Sequence, residues 1–172
     1  MKLARAIVIA LKIQEQLAPL CERIEIAGSI RRARPEVGDV DLVILPKPEQ
    51  LTAIKARCAQ KCETVRDGEQ NCIYRLPLSD HTEIQLDIFF ARPAVRDLLN
   101  TAPGNFGTLL LCRTGSKEHN IFLVEYAKRM NLRWNPYRGV IDSAGNVLAS
   151  ETEADIFKAL DLPWIKPEDR ER

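Results

Sequence analysis

The chain has 172 residues, 45% hydrophobic and 28% charged, with 25 basic and 24 acidic side chains and a formal net charge of +1. That length supports one good core or two tightly packed subdomains. No run of about 18 apolar residues occurs, and Met-Lys-Leu-Ala-Arg leads into an amphipathic helix, so neither a membrane span nor a signal peptide is supported and an unsecreted, cytoplasmic chain is expected. The five cysteines are an odd number without a Cys-x-x-Cys pair, as expected of reduced thiols.

In chain order, Leu3–Leu17 reads as a helix ended by Pro19, and residues 24–27 as a strand that runs into Gly28-Ser29. Arg31, Arg32 and Arg34 follow at once. Glycine lets the backbone approach a ligand closely, consecutive N–H groups at such a turn form an anion-binding concavity, and a hydroxyl and arginine forks add donors for phosphate oxygens. Taken alone, a Gly-Ser after a strand is equally an ordinary turn.

Residues 40–45 form the next strand. Val40, Leu42 and Ile44 share one face, which leaves Asp39 and Asp41 together on the other. Pro48 opens a helix that runs to Lys61 and lies against the sheet, with Cys58 and Cys62 one turn apart as packing residues. Residues 72–76 and 82–90 read as strands. In the latter Ile84, Leu86, Ile88 and Phe90 oppose Glu83, Gln85 and Asp87. If this strand pairs with 40–45, the three aspartates converge. Mg²⁺ takes oxygen ligands from carboxylates and substrate phosphates. A pair of ions about 3.5–4 Å apart stabilises both oxygens of an in-line phosphoryl displacement. Asp39 and Asp41 fit bridging ligands, and Asp87 fits the ion that activates the attacking hydroxyl. The pattern points to metal-assisted nucleotide transfer.

Residues 92–103 are expected as a surface loop with one short helical turn. Helices follow near 104–112 and 117–130, the second N-capped by Ser116, with Ile121, Phe122, Val124 and Ala127 at helical spacing and Asn120 on the face of Ser116. A hairpin around Ser143-Ala-Gly-Asn146 and a helix over 152–160 complete the chain. Between residues 112 and 140 six cations (Arg113, Lys117, Lys128, Arg129, Arg133, Arg138) face two acids. Such an excess can displace counterions from a phosphate backbone.

The stretch Ala27-Gly-Ser-Ile-Arg-Arg-Ala-Arg-Pro-Glu-Val-Gly-Asp-Val-Asp-Leu-Val-Ile44 resembles the nucleotidyltransferase signature of the family X DNA polymerases, the group containing DNA polymerase beta. Arg113-Thr-Gly-Ser-Lys-Glu-His-Asn-Ile121 resembles the same family's Thr-Gly-Ser block, and the tail from Asn131 to Arg170 its thumb. The resemblance implies an α+β architecture: a palm over residues 1–91, a mixed β-sheet backed by helices, then a small α/β thumb over 92–172. It implies a catalytic, metal-binding triad of Asp39, Asp41 and Asp87, with Asp87 as general base and two Mg²⁺ ions that Mn²⁺ can replace. Gly28, Ser29 and Arg32 would hold a triphosphate. Gly115 and Ser116 would sit at the nucleotide, with Gly115 beneath its sugar, and Asn120 would reach the base edge. Arg113, Lys117, Lys128, Arg133 and Arg138 would contact DNA. The implied partners are dNTP and a primer-template or gapped DNA, and the implied state is a monomer in the cytoplasm, a nucleoid or a viral replication site.

Departures from the family pattern fall at Cys112-Arg113, where aromatic residues commonly precede Thr-Gly-Ser, at Lys117, where several repair polymerases carry an acid, and at Gln85, where some carry arginine. Residues 92–103 look like an insertion. Nothing before Gly28 has room for the usual lyase and fingers regions, so the expectation is short-gap filling with low processivity and no lyase activity. A minimal nucleotidyltransferase acting on a small molecule, protein or RNA end, an untemplated terminal transferase and a non-enzymatic nucleic-acid-binding accessory are the alternatives.

Overall fold

The computed structural model describes residues 1–97 and 101–171. The chain divides into two compact units, Met1–Phe90 and Ala91–Arg172.

In the first unit, helix α1 (Leu3–Leu17) leads into β1 (Cys21–Ile26), the short α2 (Gly28–Arg31), β2 (Asp39–Pro46), α3 (Leu51–Ala59), β3 (Glu63–Asp67), β4 (Asn71–Pro77) and β5 (Glu83–Phe90). The five strands form one sheet in the order β1-β2-β5-β4-β3. β2 and β5 are parallel, and the other neighbours are antiparallel. Val40, Leu42 and Ile44 of β2 are fully buried, with Ile84, Leu86 and Ile88 of β5 beside them, in a core that takes Ala6, Ala10 and Leu17 from α1 and Ile54 and Cys58 from α3. Ala6 and Ala10, one turn apart with no exposed area, let α1 approach the sheet closely. Cys58 and Cys72 belong to this core, so the cysteines pack as expected, and all five are free.

Three features of this unit differ from the expectation. The Gly28-Ser29 turn is the first turn of α2. The chain after α3 forms an unforeseen strand, β3, whose five residues are all exposed; an edge strand with no buried face carries no hydrophobic alternation to reveal it. The α3 helix starts at Leu51, three residues after Pro48.

The second unit holds β6 (Val95–Arg96), β7 (Thr101–Ala102), α4 (Phe106–Thr114), α5 (Lys117–Arg129), β8 (Arg133–Asn135), β9 (Gly139–Ile141), β10 (Val147–Ala149) and α6 (Glu153–Ala159). Strands β10-β9-β8 form an antiparallel sheet. Leu111, Leu123, Ala127, Trp134, Val140, Ile156, Phe157 and Leu160 form the core against it. The Trp134 indole donates to Thr108 Oγ1 at 3.0 Å, and that hydroxyl donates to Asn135 O at 3.1 Å, which ties α4 to β8.

The helical turn expected within 92–103 is absent among the described residues; β6 and β7 pair antiparallel instead, and residues 98–100 of that expectation lie outside the described set. The ends of the segment are fastened, because Asn105 Oδ1 accepts from Arg92 N at 2.7 Å and Asn105 N donates to Arg92 O at 3.2 Å. That closure favours strand pairing over a helical turn. The predicted apolar stripe of α5 also shifts: His119, Leu123 and Ala127 are its buried residues, while Ile121 is 48% exposed. Among the described residues no helix is long and apolar enough to cross a membrane.

Candidate active site

Parallel pairing of β2 with β5 sets Asp39 opposite Gln85, Val40 opposite Leu86 and Asp41 opposite Asp87. Strand alternation then puts the three aspartates on one face, and one carboxylate oxygen from each lies within 4.8 Å of the others. Among the described residues this is the only cluster of three or more His, Cys, Asp or Glu close enough to share an ion. Each aspartate is partly buried. Carboxylates this close repel by about 3–4 kcal/mol per pair at an effective dielectric of about 20. A hard divalent cation with oxygen ligands relieves that repulsion, so the donor set fits Mg²⁺ or Mn²⁺. Gln85 Nε2 donates to Asp87 Oδ1 at 2.9 Å, which orients the third carboxylate with a neutral donor.

Gly28 is required by Asp41. A Cβ at residue 28 would lie 1.9 Å from Asp41 Oδ2, and its φ of +58° is a conformation that side-chain-bearing residues rarely adopt. Ala27 N donates to Asp41 O at 2.9 Å, so main chain on both sides of the contact is held in place. Ser29 Oγ is buried with no hydrogen-bond partner among the described residues. A buried hydroxyl left in that state is uncommon and fits an oxygen-rich ligand that is not part of the chain. Arg32 caps α2, its N–H donating to Gly28 O at 3.2 Å.

In the second unit, Gly115 ends α4 at φ 73°, ψ −154°, and Ser116 begins α5. The Ser116 hydroxyl accepts from His119 N at 3.2 Å, the expected N-cap, and donates to Arg170 O at 2.7 Å. Asn120 Nδ2 donates to Cys112 O at 2.8 Å, while its Oδ1 is buried with no hydrogen-bond partner among the described residues. The amide donor that would reach a base edge is therefore engaged by the chain itself, at the position where the family pattern places an aromatic residue. Burial pushes the Cys112 thiol above its ordinary range.

Of the five cations expected to contact DNA, three come together. Lys128, Arg133 and Arg138 line a cleft of about 260 Å³ floored by Val124, Trp134 and Ile141. Arg113 NH2 donates instead to the Tyr137 hydroxyl at 2.9 Å, and Lys117 is exposed in the first turn of α5. Sequence reasoning missed Arg170 and Glu153, a buried ion pair at 2.8 Å. Composition gives no signal for it, because charged residues in a polar tail read as solvated.

Residues 109–171 match the family model for the DNA polymerase beta thumb. The chain is 27% identical over 169 residues to the DNA polymerase/3'-5' exonuclease PolX of Bacillus subtilis (strain 168), covering 96% of this chain and 28% of that protein. Crystal structures of Leishmania infantum polymerase beta have the same fold across the whole chain. The ternary P/T complex superposes with a TM-score of 0.76 at 19% identity, covering 77% of its chain, and the ternary gap complex with 0.79 at 18%, covering 71%. The chain is therefore similar to polymerase beta in the sequence of its thumb segment and in fold over its whole length, and to PolX in sequence over 169 residues. Gly115, Ser116, Asn120 and the three cations of the cleft lie inside the segment matched to the DNA polymerase beta thumb, whereas the aspartate cluster lies before it.

Proposed function

We propose that this chain transfers a deoxynucleotide from dNTP to a primer 3′-hydroxyl, releasing pyrophosphate, directed by a DNA template, as a short-gap-filling polymerase of the repair type. The observation that carries the reading is the convergence of Asp39, Asp41 and Asp87 beside Gly28 and the buried Ser29 hydroxyl. Asp39, Asp41 and Asp87 would hold two Mg²⁺ ions. When bound, such a pair supplies Lewis-acid stabilisation of the attacking and leaving oxygens of in-line phosphoryl transfer. Asp87 accepts the proton of the primer hydroxyl, and Gln85 keeps its carboxylate oriented. Ser29 Oγ–H and Arg32 donate to triphosphate oxygens, and Gly28 leaves room for the Asp41 carboxylate beside them.

Gly115 and Ser116 contact the nucleotide's sugar, and Asn120 its base edge once the amide leaves Cys112 O. Lys128, Arg133 and Arg138 contact DNA phosphates. The gap substrate is supported by the likeness to polymerase beta, whose structure is of a ternary gap complex.

The test is single-nucleotide addition to a one-nucleotide-gapped duplex and to a single-stranded primer, with each dNTP and rNTP in turn and Mg²⁺ or Mn²⁺. Addition to the gap that follows the templating base is expected. Addition to the single strand whatever the template would make the chain a terminal transferase, and no addition to either would favour transfer to a small molecule, protein or RNA end.

A further inference from the structure

We propose that Arg170 is a positioning residue for nucleotide binding, fixing the Gly115–Ser116 turn from the far end of the second unit. This role rests on the reading above, in which that turn touches the nucleotide. Arg170 has no exposed area. Its guanidinium donates through NH1 to Glu153 Oε1 at 2.8 Å and through Nε and NH2 to Ile165 O at 3.0 and 2.8 Å, and it lies 5.5 Å from the Phe157 ring centre and 6.0 Å from that of Trp164. Its own carbonyl then accepts twice from Ser116, from Oγ at 2.7 Å and from N at 3.4 Å. Ser116 Oγ in turn caps His119 N, one residue before Asn120.

Packing does not explain the choice of arginine. A buried ion pair is no more stabilising than apolar residues of similar volume, and often less. What the guanidinium supplies is direction: a rigid planar fork holds Ile165 O with two donors while a third engages Glu153, so the main chain from residue 165 to 170 cannot slide without breaking charge-assisted bonds. Through that chain Glu153 sets Arg170, the Arg170 carbonyl sets Ser116, and Ser116 sets the start of α5 and the height of Asn120. Lysine at residue 170 would keep the charge opposite Glu153 and lose the fork on Ile165 O.

The experiment compares the full-length wild type with Arg170→Lys by two measurements. One is hydrogen exchange at the Ser116 and Asn120 amides. The other is affinity for an α,β-methylene dNTP bound with gapped duplex and Mg²⁺. The variant is expected to exchange Ser116 faster and to bind the nucleotide about tenfold more weakly, the worth of one charge-assisted hydrogen bond, while exchange in β4 and β5 is unchanged. If the variant fails to fold, Glu153→Gln loosens the same fork and should weaken binding in the same direction. Unchanged Ser116 exchange would overturn the role, and so would faster exchange with unchanged affinity, which would leave Arg170 a purely structural tie. A wild type whose Ser116 amide is protected but which binds no nucleotide would overturn the nucleotide reading itself, and the role with it.

Discussion

Asp41 is the residue on which the most constraints meet: it faces Asp87 across the parallel strands, presses against Gly28, and belongs to a cluster of three like charges. Without metal, Asp41→Asn relieves repulsion, so its unfolding free energy is expected to equal or exceed the wild type's. Mg²⁺ at ten times its Kd should stabilise the wild type by about 1.4 kcal/mol, roughly 3–6 °C in Tm, and the variant by less. Thermal melts with and without Mg²⁺ check this. Gly28→Ala should do the reverse. Its Cβ would drive Asp41 aside from a backbone conformation alanine resists, with an expected loss of about 1–3 kcal/mol in urea unfolding and loss of Mg²⁺-dependent stabilisation. Arg170→Ala strands Glu153 in the core and should cost about 3–5 kcal/mol in the same assay.

At the scale of elements, alternation in 39–45 and 82–90 was enough to place Asp39, Asp41 and Asp87 on matching faces, because each strand buries its other face in one core. Parallel pairing of those two strands, which sets Asp41 beside Asp87, follows from long-range packing that no local pattern contains. The Ser116 cap was legible as a hydroxyl before a helical run, and its bond to His119 N predicts that Ser116→Ala lowers stability by about 1 kcal/mol in urea unfolding. The reach of that cap to Arg170 was not legible, since 54 residues separate the partners. β3, exposed throughout, and β8, only three residues long, carry too little periodicity to be seen. Residues 92–103 misled for a different reason: the side chain that closes the segment, Asn105, lies outside it.

For the whole molecule, a net charge of +1 conceals a local basic cleft. If Lys128, Arg133 and Arg138 meet DNA phosphates, Arg133→Ala should weaken binding uniformly across sequences and reduce the slope of log affinity against log salt by about 0.9, read by fluorescence anisotropy. The first unit should also be sensitive to alkali. Burial pushes the Cys58 thiol up from its ordinary 9.0 to about 12 and the Cys21 thiol to about 11. The folded form keeps protons that the unfolded chain gives up above pH 9, so stability is complete below that value and falls as pH rises toward 12. Urea unfolding at pH 8 and pH 10.5 should show the fall, and Cys58→Ala should flatten it.

If the three carboxylates drive templated nucleotide addition, as proposed, the decisive measurement is single-turnover insertion of the matched dNTP into a one-nucleotide gap with Mg²⁺, with the wild type beside Asp41→Ala. The wild type should insert only the nucleotide that pairs with the template, and the folded variant should fall by at least a hundredfold, on the order of 3 kcal/mol in the transition state. Insertion by Asp41→Ala at more than a few per cent of the wild-type rate would contradict the account.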